Sequence, residues 1–85
     1  MDKPVRFTTH AKQKFSDLAD MGFTVTEEQV VDTVINPEEV DESDYPLTAQ
    51  KVVSERHVLW VVFKEDSEGI LIITFYPGRR KRYGD

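Results

Sequence analysis

The sequence has no cysteine, and this absence excludes a disulfide framework, a thiolate metal site and a cysteine nucleophile. A small core without disulfides has to be well packed or supported by a partner chain. No apolar run reaches the ~18 residues that a membrane-spanning helix needs, and the residues before Val5 do not form the apolar segment of a signal peptide. We therefore expect a soluble protein without membrane contact, in a reducing, cytoplasmic location.

The sequence also lacks the common motifs of metal and nucleotide chemistry. It has no His-x-x-x-His pair, acidic calcium loop, glycine-rich phosphate loop or Gly-x-Ser-x-Gly turn, and no helix-turn-helix pattern with a basic recognition helix. We therefore expect neither a bound metal nor a cofactor. If the protein is an enzyme, its acid and base side chains have to carry out the reaction without one.

Charge is distributed unevenly along the chain. The formal net charge of −5 argues against a protein that coats nucleic acid, because such binding depends on neutralising many phosphates. From residue 27 to residue 44 every ionisable side chain is acidic, whereas residues 79–82 are all basic. A locally positive site on an acidic body fits a small anion such as one phosphodiester. The alternative is that the acidic run is a solvated surface and the basic run a solubilising end.

The two most apolar runs predict the centre of the fold. Residues 58–63 and 70–76 are rich in β-branched and aromatic side chains, and a short polar segment ending at Gly69 joins them, which is typical of an antiparallel hairpin. Because nearly continuous apolar runs indicate burial, we expect this hairpin to be the central strand pair. Weaker patterns predict a third strand over residues 49–56 and a short edge strand over residues 5–8.

Two helices are predicted between the edge strand and the hairpin. The first begins after the threonine pair at residues 8–9, either of which can cap it, and Gly22 stops it. The second follows Thr26, which has the capping-box spacing with Gln29, and it ends before Pro37. The residues expected to be buried are Ala11, Phe15, Leu18 and Ala19 on the first helix and Val30, Val31, Val34 and Ile35 on the second.

The order of these elements predicts an α+β fold, with the two N-terminal helices packed on one face of a small antiparallel sheet. At 85 residues the chain is expected to form one domain over residues 1–85, with residues 79–85 as a basic C-terminal tail. The acidic stretch over residues 37–48 contains two prolines and is predicted to be a loop.

Alternation along the last strand identifies candidate site residues, because side chains at every second position share a face. We expect the helices to cover the more apolar face, so that Thr74 and Tyr76 point outward. If Lys51 or Arg56 points the same way, this face could hold a phosphate and stack a base. The alternative for Tyr76 is a half-buried residue at a strand end. The alternation groups Ile70, Ile72, Thr74 and Tyr76 on one face and Leu71, Ile73 and Phe75 on the other.

Of the two histidines, His10 is the better candidate for proton transfer, because His57 is expected in a turn beside Arg56. The alternative for His10 is a surface or capping residue. The remaining residue types suit RNA cleavage without a metal, in which a 2′-hydroxyl attacks the adjacent phosphodiester and cations stabilise the charge that develops. The candidate catalytic residues are His10, Tyr76 and Arg80, and the candidate RNA-binding residues are Lys51, Arg56, Thr74, Arg79, Arg82 and Tyr83.

Several short motifs resemble one family. They are His10-Ala11 followed by a basic residue at position 14, the helix start at residues 25–28, the Asn-Pro pair at residues 36–37 and the strand end at residues 72–77. In this order they resemble a family of small prokaryotic domains of unknown function (family 4258) that is related to the BrnT and RelE/ParE toxins. The resemblance implies a RelE-like fold, metal-independent ribonuclease activity and an antitoxin partner. It places the family's site positions on His10, Lys14, Thr74 and Tyr76, where Lys14 replaces the more common arginine and is a further candidate RNA-binding residue.

Two main functional hypotheses follow from these observations. The first is a RelE/BrnT-like endoribonuclease or toxin-fold domain of a toxin-antitoxin system, which acts on single-stranded RNA. The second is a non-catalytic interaction module of the same fold, which uses an edge strand or the acidic loop to bind a small antitoxin-like protein or a second copy of itself. A third is an unrelated small-molecule binder. Convergence of His10, Arg56, Tyr76 and either Arg80 or Arg82 in one cleft would favour the first hypothesis, and a His10 that lies across the molecule from Tyr76 would count against it.

Overall fold

The computed structural model describes residues 4–79. Within this range the chain forms an α+β fold, in which two α-helices pack against one five-stranded sheet. The α+β class predicted from the sequence is therefore confirmed. In chain order the elements are β1 (Val5–Phe7), α1 (Thr9–Asp20), α2 (Glu27–Ile35), β2 (Glu39–Asp41), β3 (Leu47–Val52), β4 (His57–Asp66) and β5 (Gly69–Arg79).

The strands are ordered β1-β5-β4-β3-β2 across the sheet. The predicted hairpin is confirmed as β4 and β5, which pair antiparallel along their length and each have a second neighbour. The prediction of a purely antiparallel sheet is wrong, because β1 pairs with β5 in parallel. A parallel neighbour requires a long crossover connection, and the helices and strands between β1 and β5 provide it.

Hydrogen bonds at the helix ends follow the sequence patterns. Thr8 caps α1, and its hydroxyl accepts a hydrogen bond from the Ala11 N–H at 3.0 Å. The predicted capping box of α2 is confirmed, because the Gln29 N–H donates to the Thr26 hydroxyl at 3.1 Å and the Thr26 N–H donates to the Gln29 side chain at 3.0 Å. Gly22 follows α1 with φ of 91°, a left-handed conformation that favours glycine.

One apolar core lies between the helices and the sheet. Aromatic rings connect β1, α1 and β5, because the Phe15 centroid lies 5.9 Å from that of Phe7 and 4.6 Å from that of Phe75. Alternate residues of β4 belong to this core, so α1 and α2 cover the same face of the sheet. Its buried members are Ala11, Leu18, Val30, Val34, Ala49, Leu59, Val61, Phe63, Ile70, Ile72 and Phe75.

The buried faces of the helices are narrower than predicted. Ala19 and Ile35 are exposed and Val31 is only half-buried, because these short helices dock along one stripe and residues at its margin stay outside the contact. Thr33 is fully buried instead. Its hydroxyl donates to the Gln29 carbonyl oxygen at 2.7 Å, which satisfies the one polar group that this position brings into the core.

The acidic stretch over residues 37–48 is more ordered than predicted. It contains β2 and the first residues of β3, so the prediction of a loop is wrong for part of it. Val40 is the reason, because this apolar residue packs against the core while its acidic neighbours in β2 stay exposed. The Tyr45–Pro46 peptide bond in the connection between these strands is cis.

A β-bulge in β5 changes the predicted alternation. The pairing of β4 with β5 skips Ile73, which is an extra residue on β5. Because of this extra residue, Ile72 and Phe75 both point into the core, where each is fully buried. The predicted grouping of Thr74 and Tyr76 with Ile72 is therefore wrong. The two residues nevertheless lie on the sheet face opposite the helices, as expected.

Candidate active site

We call the sheet face opposite the helices the open face. Strand pairing sets its side chains in rows that run across the strands. Thr74 and Tyr76 are two residues apart on β5, so their rows are separated by about 6–7 Å. The first row contains Arg6, Leu71 and Lys64, the second contains Thr74, Val62, Thr48 and Asp41, and the third contains Tyr76, Trp60, Gln50 and Glu39.

His10 reaches the edge of the second row from the first turn of α1. Its Nε2 lies 3.2 Å from the Thr74 hydroxyl oxygen. Thr8 fixes this position, because its N–H donates to the Ile72 carbonyl at 3.0 Å and its hydroxyl donates to the Ile73 carbonyl at 2.9 Å. The start of α1 is thereby attached to β5 at the bulge. His10 is exposed and Thr74 half-buried, so a ligand on the open face can contact the imidazole.

Two aromatic side chains occupy the third row. The rings of Trp60 and Tyr76 stack with centroids 5.6 Å apart and an interplanar angle of 28°, and Tyr76 is 43% exposed. The indole of Trp60 packs on Gly78, where a methyl group would overlap the ring. Glycine at this position therefore allows the indole to lie close to the sheet beside Tyr76.

Hydrogen bonds extend from this pair to the acidic edge of the sheet. The Trp60 indole N–H donates to the Gln50 side-chain oxygen at 2.6 Å, and the Gln50 amide donates to a Glu39 carboxylate oxygen at 3.0 Å. The hydroxyl and the N–H of Ser43 lower the pKa of Asp41 below its ordinary value, so this carboxylate is charged at neutral pH. A groove of about 430 Å³ lies along this edge, lined by Glu39, Asp41, Glu42, Thr48, Trp60 and Tyr76, among others.

Lys51 lies on the other side of the sheet from these rows. It is paired with the core residue Leu59 across the strands, and its ammonium donates to the Asp32 carboxylate of α2 at 2.7 Å. This bond, with a second one from the Asn36 side chain, lowers the pKa of Asp32 below its ordinary value. The structure therefore places Lys51 between the sheet and α2, and does not bring it to His10.

The other predicted RNA-binding cations of the described chain lie outside the three rows of the open face. Arg56 is exposed in the turn between β3 and β4. The next residue, His57, pairs with Arg79 at the end of β5, so Arg56 and Arg79 lie at the same end of the sheet, beyond the third row. Lys14 is half-buried on α1, one turn after His10.

Three of the predicted site residues, Arg80, Arg82 and Tyr83, lie outside the described residues. Among the others, the structure brings His10 to Thr74 and places Tyr76 in the next row. This partial convergence brings the start of α1 and the strand β5 together in one region of the open face.

Sequence reasoning missed five side chains of the open face. Alternation along β4 could have shown that Trp60 and Lys64 lie on the face opposite the core residues of that strand. The other three depend on strand pairing, because Arg6 lies on a parallel edge strand and Gln50 and Glu39 meet across β2 and β3. No local sequence pattern specifies that register.

Two negative findings and the comparisons with known proteins complete the description. Among residues 4–79, no three histidine, aspartate or glutamate side chains are grouped so that they could hold a metal ion. Within the same range, neither helix is long and apolar enough to cross a membrane. Comparisons of the chain with models of known protein families, with curated proteins and with solved structures found no match.

Proposed function

We propose that the protein is a metal-independent endoribonuclease that cleaves single-stranded RNA on the open face of its sheet. The observation that carries this proposal is the 3.2 Å contact between His10 Nε2 and the Thr74 hydroxyl. It joins an imidazole, which can accept and donate a proton, to the strand that also carries Tyr76. An exposed aromatic pair one row away provides a surface on which a base can stack.

In the proposed reaction the 2′-hydroxyl of one nucleotide attacks the phosphorus of the adjacent phosphodiester. The imidazole of His10 accepts the 2′-hydroxyl proton, and Thr74 orients the ring. The bond from phosphorus to the 5′-oxygen breaks, and the Tyr76 hydroxyl gives its proton to that oxygen. Water then carries the proton from His10 back to Tyr76. The products are a 2′,3′-cyclic phosphate and a free 5′-hydroxyl.

Cations beside the second row support binding of the phosphodiester at this place. Arg6 and Lys64 flank Leu71 in the first row, which is next to the second row. A phosphate over the Thr74 end of the second row would lie beside these positive charges, which stabilise the charge of the pentacovalent intermediate. A few cations around one phosphate fit a protein whose overall charge is negative.

The proposal also assigns the domain to the RelE/BrnT-like toxin fold, with a small antitoxin-like protein as partner. The support is the sequence resemblance together with the order of elements, in which a short strand and two helices precede the antiparallel strands β2 to β5. In a toxin-antitoxin system the partner would cover the open face and block access of RNA to His10.

Cleavage of a labelled single-stranded RNA in EDTA tests the proposed activity. We expect wild-type protein to cleave and His10→Ala to lose about 10²–10⁴-fold in rate, which is the usual contribution of one general acid or base. Tyr76→Phe retains the ring and removes the hydroxyl, and we expect it to lose cleavage with a change in stability of at most about 0.5 kcal/mol, as is usual at an exposed position.

The second histidine provides a matched control. His57 packs edge-on against Phe23 with ring centroids 5.3 Å apart, away from the rows of the open face. His57→Ala removes the same imidazole group, so we expect it to retain cleavage. Equal loss of cleavage in the His10 and His57 variants, or no effect of either one, would contradict a site at His10.

A second candidate function is a non-catalytic module for protein interaction or dimerisation. The observation that favours it is the acidic edge strand β2, where Glu39 and Asp41 are exposed and the sheet has a free edge. Sedimentation analysis separates the two functions. A stable dimer that cleaves no RNA, and that is retained at high salt where repulsion between the acidic edges is screened, would support the interaction module.

A further inference from the structure

The groove beside the aromatic pair includes Tyr76, the proposed general acid, but the reaction proposed above assigns no role to its acidic wall. One wall is formed by Trp60 and Tyr76, and the opposite wall by the carboxylates of β2 and the residue after it. Stacked aromatic rings bind flat π systems. Bare phosphate is disfavoured in a groove with several carboxylates, and the aromatic wall favours a base as the part of an RNA ligand that enters it.

The hydrogen bonds of the groove fix the orientation of its polar groups. The Gln50 amide is held by Trp60 on its oxygen side and by Glu39 on its nitrogen side. One amide hydrogen of Gln50 then remains as a donor. It lies beside the Glu39 carboxylate, which still has acceptor capacity. The groove thus presents a donor next to a strong acceptor.

The bases differ in how well they match this arrangement. Guanine has the O6 acceptor beside two adjacent donors, N1–H and the N2 amino group, so a carboxylate can accept two hydrogen bonds from it. Adenine and cytosine each have one amino group beside an acceptor nitrogen, and uracil has a single donor between two acceptors. Only guanine supplies two donors to Glu39 and one acceptor to Gln50.

We infer that this groove is a guanine-binding subsite that stacks the base on Trp60 and Tyr76 and reads its edge with Glu39 and Gln50. The inference rests on the proposed function, since it specifies the substrate of the same face. The Tyr76 end of the third row lies about 6–7 Å from Thr74 along β5, which is about the distance from a base to the phosphate of its own nucleotide. The phosphodiester at His10 would therefore adjoin the bound guanosine, and cleavage would occur next to guanine.

Binding is measured without cleavage by using trinucleotides with 2′-O-methyl groups, which lack the attacking hydroxyl. The central base is guanine, inosine, adenine or uracil. Trp60 is the one tryptophan in the chain, so quenching of its fluorescence reports stacking in this groove. We expect the guanine trinucleotide to bind about 10-fold or more tighter than the adenine one, as for other bidentate base contacts. Inosine lacks the 2-amino group and should bind with intermediate affinity.

Two variants with the same change in charge test the role of the carboxylate. Glu39→Gln keeps an acceptor for the Gln50 amide but loses the second acceptor oxygen, and we expect the preference for guanine to disappear. Glu55→Gln changes a residue in the turn between β3 and β4, outside the groove, and should keep the preference. Equal quenching by all bases would refute the subsite. Quenching by an oligo-arginine peptide but by no trinucleotide would also refute it, in favour of a basic protein partner.

The subsite and the nuclease activity can fail separately. Cleavage that depends on His10 but is equal next to all bases would leave the nuclease and overturn the guanine subsite. Guanine-dependent quenching that Glu39→Gln abolishes, in a protein that cleaves no RNA, would retain the subsite and overturn the nuclease.

Discussion

The bulge at Ile73 determines which residues of β5 lie on the open face, and core substitutions test it. Without the extra residue, Ile72 and Phe75 would lie on opposite faces, so only one of them could be in the core. In the structure both are fully buried. We expect Ile72→Ala to lower the free energy of unfolding by about 2–5 kcal/mol and Phe75→Ala by about 3–5 kcal/mol. Ile73 is half-buried, and Ile73→Ala should cost about 1 kcal/mol.

Urea unfolding followed by Trp60 fluorescence measures these differences. With a slope of about 1–3 kcal/mol per M urea, a loss of about 3 kcal/mol lowers the midpoint by roughly 1–3 M. A domain of this length has a total stability of roughly 4–13 kcal/mol, so Phe75→Ala could unfold the protein. In that case Phe75→Leu is measured instead of Phe75→Ala, and we expect it to lower the free energy of unfolding by about 1.5 kcal/mol or less. A small effect at Ile72 together with a large one at Ile73 would refute the bulge.

Three further predictions concern the ion pair, the indole and the active site. Asp32→Asn should lower the urea midpoint at pH 7, and the gap to wild type should close as the pH falls below about 4, because the bond from Lys51 lowers the pKa of Asp32 and stabilises the fold only while that carboxylate is charged. A difference between the two urea midpoints that stays constant down to pH 2 would contradict this. Gly78→Ala should displace the Trp60 indole, seen as a shift in its emission, with the far-UV circular dichroism unchanged; an unaltered emission spectrum would contradict the packing. Thr74→Val should slow RNA cleavage at least several-fold without unfolding the protein, and full activity would exclude Thr74 from orienting His10.

The sequence predicts most of the elements because their signals are local. The capping box at Thr26 and the apolar runs of the hairpin specify structure within a few residues, and the structure confirms both. The parallel pairing of β1 and the β-bulge are different, since each depends on contacts between distant parts of the chain. Thr8 illustrates this, because its bond to the Ile73 carbonyl joins residues 65 positions apart.

The candidate site is predictable only in part for the same reason. Residue type and alternation identified His10, Thr74 and Tyr76 as candidates, but they could not show that His10 contacts Thr74. The placement of Lys51 also required the structure. Its salt-bridge partner Asp32 lies on α2, and alternation along a strand does not show which side chains meet a helix. The sequence did not predict the contacts between helices and strands, because packing and pairing register set these contacts rather than local propensity.

The most direct test of the proposed activity asks whether the 2′-hydroxyl is the nucleophile. Purified protein in EDTA is given two labelled RNAs that differ only in one 2′-deoxy nucleotide at the cleaved position, and the product ends are identified. We expect the all-ribose RNA to give a 2′,3′-cyclic phosphate and a 5′-hydroxyl, and the substituted RNA to stay intact at that position. Cleavage of the substituted RNA, or no cleavage of either RNA, would contradict the proposal that His10 and Tyr76 catalyse attack by the 2′-hydroxyl.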